Sequence, residues 1–198
     1  MNILEIETHP ICMVPHWLHS LGDQCLVSLS RYKYAPQHIE DQRELITIKL
    51  GELTPSWLES QLSSLPEEYE LALHSVLMSH EDEAHIPMVD FATKDIQQKE
   101  IFYWAYEQLG ITLKLFDSGR ALHGYGMEPV SRDKWIRFMG LLLLANIPNH
   151  QPLTDTRWIG HRLLAGYSAL RWSKNSSFSL KMPTLVTCID SSCPTLAG

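Results

Sequence analysis

The chain has 198 residues, 44% hydrophobic and 20% charged, with a formal net charge of −7. That is about one domain of ordinary globular composition, long enough to bury a real core, which excludes a disordered tail, a collagen-like repeat and a pure coiled coil. The acidic balance excludes a basic nucleic-acid coat, so any nucleic acid has to be held by a local basic patch. Cys12, Cys25, Cys188 and Cys193 are too few to build a disulfide scaffold of this length. The start, Met1–Glu7, carries acids and no basic region, unlike a signal peptide. The longest apolar run, Met139–Ala145, falls far short of the roughly 20 residues of a membrane span. The expectation is one soluble, cytoplasmic domain over 1–198, with an N-terminal half (1–80), a second half (81–190) and a tail (191–198) that frays.

In chain order, the β-prone stretch Cys25–Ser30 and the alternating Glu44–Leu50, ending at Gly51, predict strands. Thr54-Pro55 predicts a capped helix with Trp57, Leu58, Leu62 and Leu65 on its apolar side. Pro66-Glu67-Glu68 predicts a second helix running through Leu71, His74 and Leu77, and Glu81–Glu83 a solvated loop. His85–Ala92 reads as a strand that starts late or lies near an edge because of Pro87. A helix over Lys94–Leu109 stops at Gly110, and Ile111–Phe116, the Ser118-Gly119 turn and Ala121–Tyr125 form a hairpin. Ser131 caps a helix to about Asn146, Thr154 or Asp155 starts another through Leu170, and Lys181–Cys188 is a final strand. This mixed order predicts an α+β fold, with helices covering a mostly antiparallel sheet.

The hairpin is the most informative segment. Asp117–Gly126 brings Ser118, Gly119, Arg120 and His123 within six positions of one turn. Ala121 and His123 share a strand face, leaving room beside the imidazole, while Gly119 allows close backbone approach and Arg120 offers a planar cation to phosphate oxygens. The bland alternative is an ordinary hairpin with a surface arginine and a hydrogen-bonded core histidine. Asp90 closes an apolar strand, a rigid support on which a carboxylate can hold Mg²⁺ or Mn²⁺, although a strand-end Asp also serves as a turn or helix cap. Asp155 heads a dense stretch containing Arg157, Trp158, His161 and Arg162, and Arg171-Trp172 with Lys174 adds cations beside an aromatic. Here the alternatives are an N-cap aspartate and surface charge next to a half-buried Trp. His9, Cys12, His16 and His19 have zinc-binding side chains, but their spacing matches no closed finger and Pro10 and Pro15 break any helix.

Taken in order, these pieces resemble the archaeo-eukaryotic primase superfamily, the primase-polymerases, over about residues 80–185. Val89-Asp90-Phe91-Ala92 is similar to the acidic first motif, Ser118–His123 to the small-x-His second motif, and Asp155 to the lone acid of the third, with Asp190 a rival. Ala92 stands where the family usually carries a second acid, so this looks like a single-Asp branch. The resemblance implies an RRM-like catalytic core with an N-terminal α/β extension. It also implies catalytic Asp90, His123 and Asp155, with Mg²⁺ or Mn²⁺ on Asp90 and Asp155. Nucleoside triphosphate would lie on Ser118, Gly119, Arg120 and His123, and single-stranded DNA or RNA near Arg157, Arg171 and Lys174. The implied setting is plasmid or phage replication or anti-phage defence. The alternative is a catalytically degenerate nucleotide- or nucleic-acid-binding subunit that assists a protein partner.

Overall fold

The computed structural model describes residues 6–35, 38, 42–79, 82–94 and 110–189. They form two antiparallel sheets with helices against them, the α+β architecture expected from the sequence. The first sheet has the order β2-β1-β3-β4-β8, with β9 also paired to β3; the second has the order β10-β6-β7-β5. The strands are β1 (Leu26–Lys33), β2 (Arg43–Lys49), β3 (Tyr69–Ser79), β4 (Asp82–His85), β5 (Met88–Asp90), β6 (Leu113–Asp117), β7 (Leu122–Gly126), β8 (Val130–Ser131), β9 (Ala169–Arg171) and β10 (Thr184–Ile189). The helices are α1 (Val14–Trp17), α2 (Pro55–Ser63), α3 (Arg132–Leu144) and α4 (Thr156–Ala165). No described helix is long and apolar enough to cross a membrane.

Local chemistry sets most boundaries where the sequence marks them. The Thr54 hydroxyl accepts from the Trp57 N–H to start α2, and the Asp155 carboxylate does the same for α4 from Trp158. Between β4 and β5, Pro87 interrupts the ladder, and the chain leaves the first sheet for the second at that point. The predicted helix over 94–109 falls almost wholly outside the described residues, as does Asp190.

Three expectations are corrected. The segment after Pro66 is strand β3, not a helix. Pro66–Tyr69 is a turn closed by Tyr69 N–H to the Pro66 carbonyl at 3.1 Å, with Glu68 at φ 63°. Residues 70–75 are all buried, so β3 shows no polar–apolar alternation, and its pairing with β1, β4 and β9 overrides the helix-forming Glu and Leu side chains. Residues 82–85 continue this sheet as β4, so Asp82 and Glu83 are in a strand where a solvated loop was expected. Helix α4 ends at Gly166, in the left-handed region at φ 81°, and 169–171 return as β9, where the helix was expected to reach Leu170.

Two apolar cores result. The larger includes Ile11, Val14, Leu29, Leu58, Leu73 and Trp172. The second gathers Val89, Phe91 and Leu115 under α3 and α4. Helix α3 buries Trp135, Phe138, Met139 and Leu142, a spacing that keeps one face on the sheet. This second core fixes the edge of the sheet on which the candidate site sits.

Candidate functional site

Main-chain pairing alone brings three distant parts of the sequence together. Asp90 on β5 lies opposite His123 on β7. The chain beyond Asp90 then runs beside the segment leading into α4: Phe91 bridges Thr154, Ala92 N–H donates to the Leu153 carbonyl at 3.0 Å, and Asp155 N–H donates to the Asp90 carbonyl at 2.9 Å. Asn146 secures this second segment, its side-chain oxygen accepting from Leu153 N–H at 2.8 Å and Thr154 N–H at 2.9 Å. Asp90, His123 and Asp155 therefore occupy one backbone ladder.

Their side chains share few partners. His123 is 6% exposed, and its Nδ1 is buried without a hydrogen bond among the described residues. Its Nε2 stands 3.8 Å from Asp90 Oδ1, too far for a hydrogen bond. Loss of water around the ring, and then the Arg171 charge, hold its pKa down to about 3, so the ring is neutral at pH 7 and this contact is not an ion pair. The Asp90 side chain keeps 24% of its surface open. Desolvation, followed by repulsion from Asp155, pushes its carboxyl up to about 8, against a smaller opposing pull from Arg171. Asp155 spends Oδ1 on the Trp158 N–H at 3.0 Å, and its Oδ2 has no hydrogen bond among the described residues.

All three line one cavity of about 580 Å³, within the usual range for small-molecule sites. Its described lining carries six cations, Lys33, Arg43, Arg120, Arg157, Arg162 and Arg171, against the carboxylates Glu70, Asp90 and Asp155. The net acidic chain thus has the local basic patch that its composition requires of any polyanion site. Arg171 braces the wall: Nη2 donates to the Ser118 carbonyl at 2.7 Å and Nη1 to the Lys181 carbonyl at 3.0 Å and the Ser173 carbonyl. Arg157 Nη2 donates to the carbonyl of His38, another lining residue, at 3.0 Å.

The family model for archaeo-eukaryotic primase 1D-like proteins matches residues 49–184, more than half of the chain. The chain belongs to that family. The match begins well before residue 80, so β3, α2 and the end of β2 are part of the primase-like unit, beyond the stretch whose motifs carry the resemblance. Neither a curated protein nor a solved structure matches the chain.

A primase-like chain implies a divalent cation, and the donor set bears on whether one fits. Asp155 repels an ionised Asp90 more than Arg171 relieves it, and each carboxylate has an oxygen without a hydrogen bond among the described residues, the chemistry a hard cation takes. The described residues hold no group of three or more His, Cys, Asp or Glu able to enclose a metal. By donor chemistry, two carboxylates suit at most a cation that takes its remaining ligands from elsewhere, such as water or a bound polyphosphate.

Of the other residues singled out in the sequence, Arg120, Arg157 and Arg171 line the cavity, while Ser118, Gly119 and Lys174 do not. The Ser118 hydroxyl donates to the Ala121 carbonyl at 2.8 Å, and Gly119 N–H donates to Asp117 Oδ1 at 2.7 Å. At Gly119, φ is +108° and an added Cβ would stand 2.8 Å from Leu180 Cβ, so the turn needs glycine for both reasons. Lys174 is exposed. Sequence reasoning missed Tyr32, Tyr34, Arg43, Glu70 and Phe178, which also line the cavity. The alternation Arg31-Tyr32-Lys33-Tyr34 is the signal for the first group, a cation–aromatic pattern of the kind that grips single strands. Of the N-terminal set, His9 is buried and bonded on both ring nitrogens, to the Trp172 carbonyl at 2.8 Å and from Ile11 N–H at 3.1 Å, while His16 and His19 stack on the surface.

Proposed function

We propose that this chain is a primase–polymerase-type nucleotidyltransferase domain that binds a nucleoside triphosphate and a divalent cation and acts on a DNA or RNA template. The joint position of Asp90, His123 and Asp155 on one ladder, facing a cationic cavity, carries the reading. In the reaction a strand's 3′-hydroxyl oxygen bonds to the α-phosphorus, the bond from that phosphorus to the bridging oxygen breaks, pyrophosphate leaves with the electron pair, and the hydroxyl proton passes to water. Asp90 and Asp155 would hold Mg²⁺ or Mn²⁺, which when bound neutralises triphosphate charge and favours the attacking alkoxide. His123, neutral at pH 7, has one N–H to donate to a phosphate oxygen, and Arg120, Arg157 and Arg171 supply positive charge to the rest. Ser118 and Gly119 would act by shaping the turn that carries Arg120, and Lys174, exposed outside the cavity, would meet a template strand. The setting that the resemblance implies is plasmid or phage replication or anti-phage defence.

Labelled nucleotides incubated with a single-stranded template and Mn²⁺ or Mg²⁺ should give extended product, reduced at least about a hundredfold in Asp90→Ala and Asp155→Ala, the size of loss expected when a charge-stabilising group is deleted. No product in either metal on any template overturns the enzyme reading. Ala92, in place of a second acid, favours one other reading: a nucleotide-binding subunit that assists a partner enzyme. Its signature is nucleotide affinity lost in His123→Ala, kept in Asp90→Ala, with no product from the parent protein.

A further inference from the structure

Two large aromatic side chains stand at the cavity without belonging to either apolar core. Tyr34, just past the end of β1, is 49% exposed, and Phe178, in the loop between β9 and β10, is 41% exposed. Their ring centroids are 5.1 Å apart, edge to face, although they come from opposite ends of the sequence. Leaving this much aromatic surface in water costs free energy that an inward-turned residue would not.

Phe178 is also held in place. Its turn is closed by Ser179 N–H to the Ser176 carbonyl at 3.2 Å. The loop is anchored from below by the buried Glu70 carboxylate, which accepts from Ser176 N–H at 3.0 Å, Ser176 Oγ at 2.6 Å and Asn175 N–H at 3.2 Å. Glu68 takes Ser177 N–H at 3.2 Å. Beside Tyr34, the Arg43 guanidinium lies over the Tyr32 ring, 4.1 Å from its centroid. A solvent-facing aromatic pair, its Phe178 carried on an anchored loop, next to cations and in the cavity lined by Asp90, Asp155 and His123, suits a flat π-faced ligand joined to phosphate.

We propose that the Tyr34–Phe178 pair is a stacking platform for a nucleobase, so that the cavity takes base and phosphates together and tolerates any base. This rests on the nucleotide reading above and adds what recognises the base. The test compares the parent protein with Tyr34→Ala, Phe178→Ala and the double variant, all at exposed positions where melting temperature should stay constant. The probes are a nucleoside triphosphate, inorganic tripolyphosphate and a single-stranded oligodeoxynucleotide. The expected result is a five- to hundredfold loss of affinity for a base-bearing probe, the range of base–aromatic stacking, no change for tripolyphosphate, and recovery in Phe178→Trp. Loss for the mononucleotide assigns the platform to the substrate base, and loss for the oligonucleotide alone assigns it to a strand; either supports the platform. Unchanged affinity for both, with His123→Ala still weakening nucleotide binding, overturns the platform and leaves the nucleotide site standing. Equal losses for tripolyphosphate overturn it as well, because the rings would then only be shaping the cavity. A parent protein that binds none of the three probes removes the nucleotide reading itself.

Discussion

Glu70 and Asp90 line the same cavity and meet opposite surroundings. Glu70 is 1% exposed, and burial alone would raise its pKa. Hydrogen bonds from Ser173, Ser176, Ser179 and Asn175 more than offset that, and the carboxyl lies below the usual range. Asp90 is less enclosed, has no side-chain hydrogen bond among the described residues, and is pushed up to about 8. The histidines divide the same way. The His85 ring meets Ser75 Oγ at 3.1 Å and Glu83 Oε1 at 3.0 Å, whereas the His123 ring has no hydrogen bond among the described residues. An unpartnered buried polar group costs roughly 1–3 kcal/mol. The fold satisfies Glu70 and His85 and leaves the Asp90 and His123 side chains without hydrogen-bond partners among the described residues, the contrast on which the proposed role of the second pair rests.

The largest effect belongs on the satisfied side. Glu70→Ala strands the donors of Ser173, Asn175 and Ser176 and should lower unfolding free energy by about 3 kcal/mol or more, since hydrogen bonds to a charged acceptor are worth roughly 1.5–3 kcal/mol each. Urea titration measures this, and a loss below about 1 kcal/mol would break the contrast at its strongest point.

The histidines sharpen it next. His85→Leu leaves Ser75 Oγ and the Glu83 carboxylate without the ring, at a cost of about 2 kcal/mol. His123→Leu removes no hydrogen bond and should stay within about 1 kcal/mol of the parent, while nucleotide affinity falls at least tenfold. Comparable destabilisation of the two variants would mean that His123 is a core histidine after all.

The smallest effect is the pH dependence at Asp90. Its folded pKa, about 8, lies above its ordinary value of 3.8. Between those values the folded state holds a proton that the unfolded state has released, so this group's contribution to stability falls as pH rises. His123, lowered to about 3, acts in the opposite sense between about 3 and its ordinary 6.5, so the comparison belongs above pH 7. Without divalent metal, Asp90→Asn should melt about 2–4 °C above the parent at pH 9, the response to roughly 1 kcal/mol in a chain this long. With Mg²⁺ at saturation the advantage should vanish, because the cation stabilises only the parent. An advantage independent of pH would detach it from the carboxyl's ionisation.

Much of the fold was legible because its signals are local. Thr54-Pro55, Ser131 and Asp155 start helices by the bonds their own side chains make, and the Ser118-Gly119 turn follows from a backbone angle that glycine adopts freely. Strand β3 was not legible, because burial on both faces erases the alternation that marks a strand and leaves a run rich in helix formers. At the site, Asp90, Arg120, His123 and Asp155 could be found from type and position. Glu70, Tyr34 and Phe178 could not be combined from sequence, since their relation depends on β9 returning to β3, a long-range pairing with no local mark. The same pairing explains why Arg171, read as a nucleic-acid contact, spends its guanidinium on three carbonyls of the cavity wall.

The hydrogen bond from Asp155 N–H to the Asp90 carbonyl, with the Phe91–Thr154 bridge beside it, has a consequence for inheritance. The separation of the two acids is a property of peptide geometry, so neighbouring residues can drift without retuning it. One residue inserted between 90 and 92 would turn the chain over and aim the wrong side chain inward. What such a contact hands down is the nearness of two main-chain positions, whichever side chains surround them.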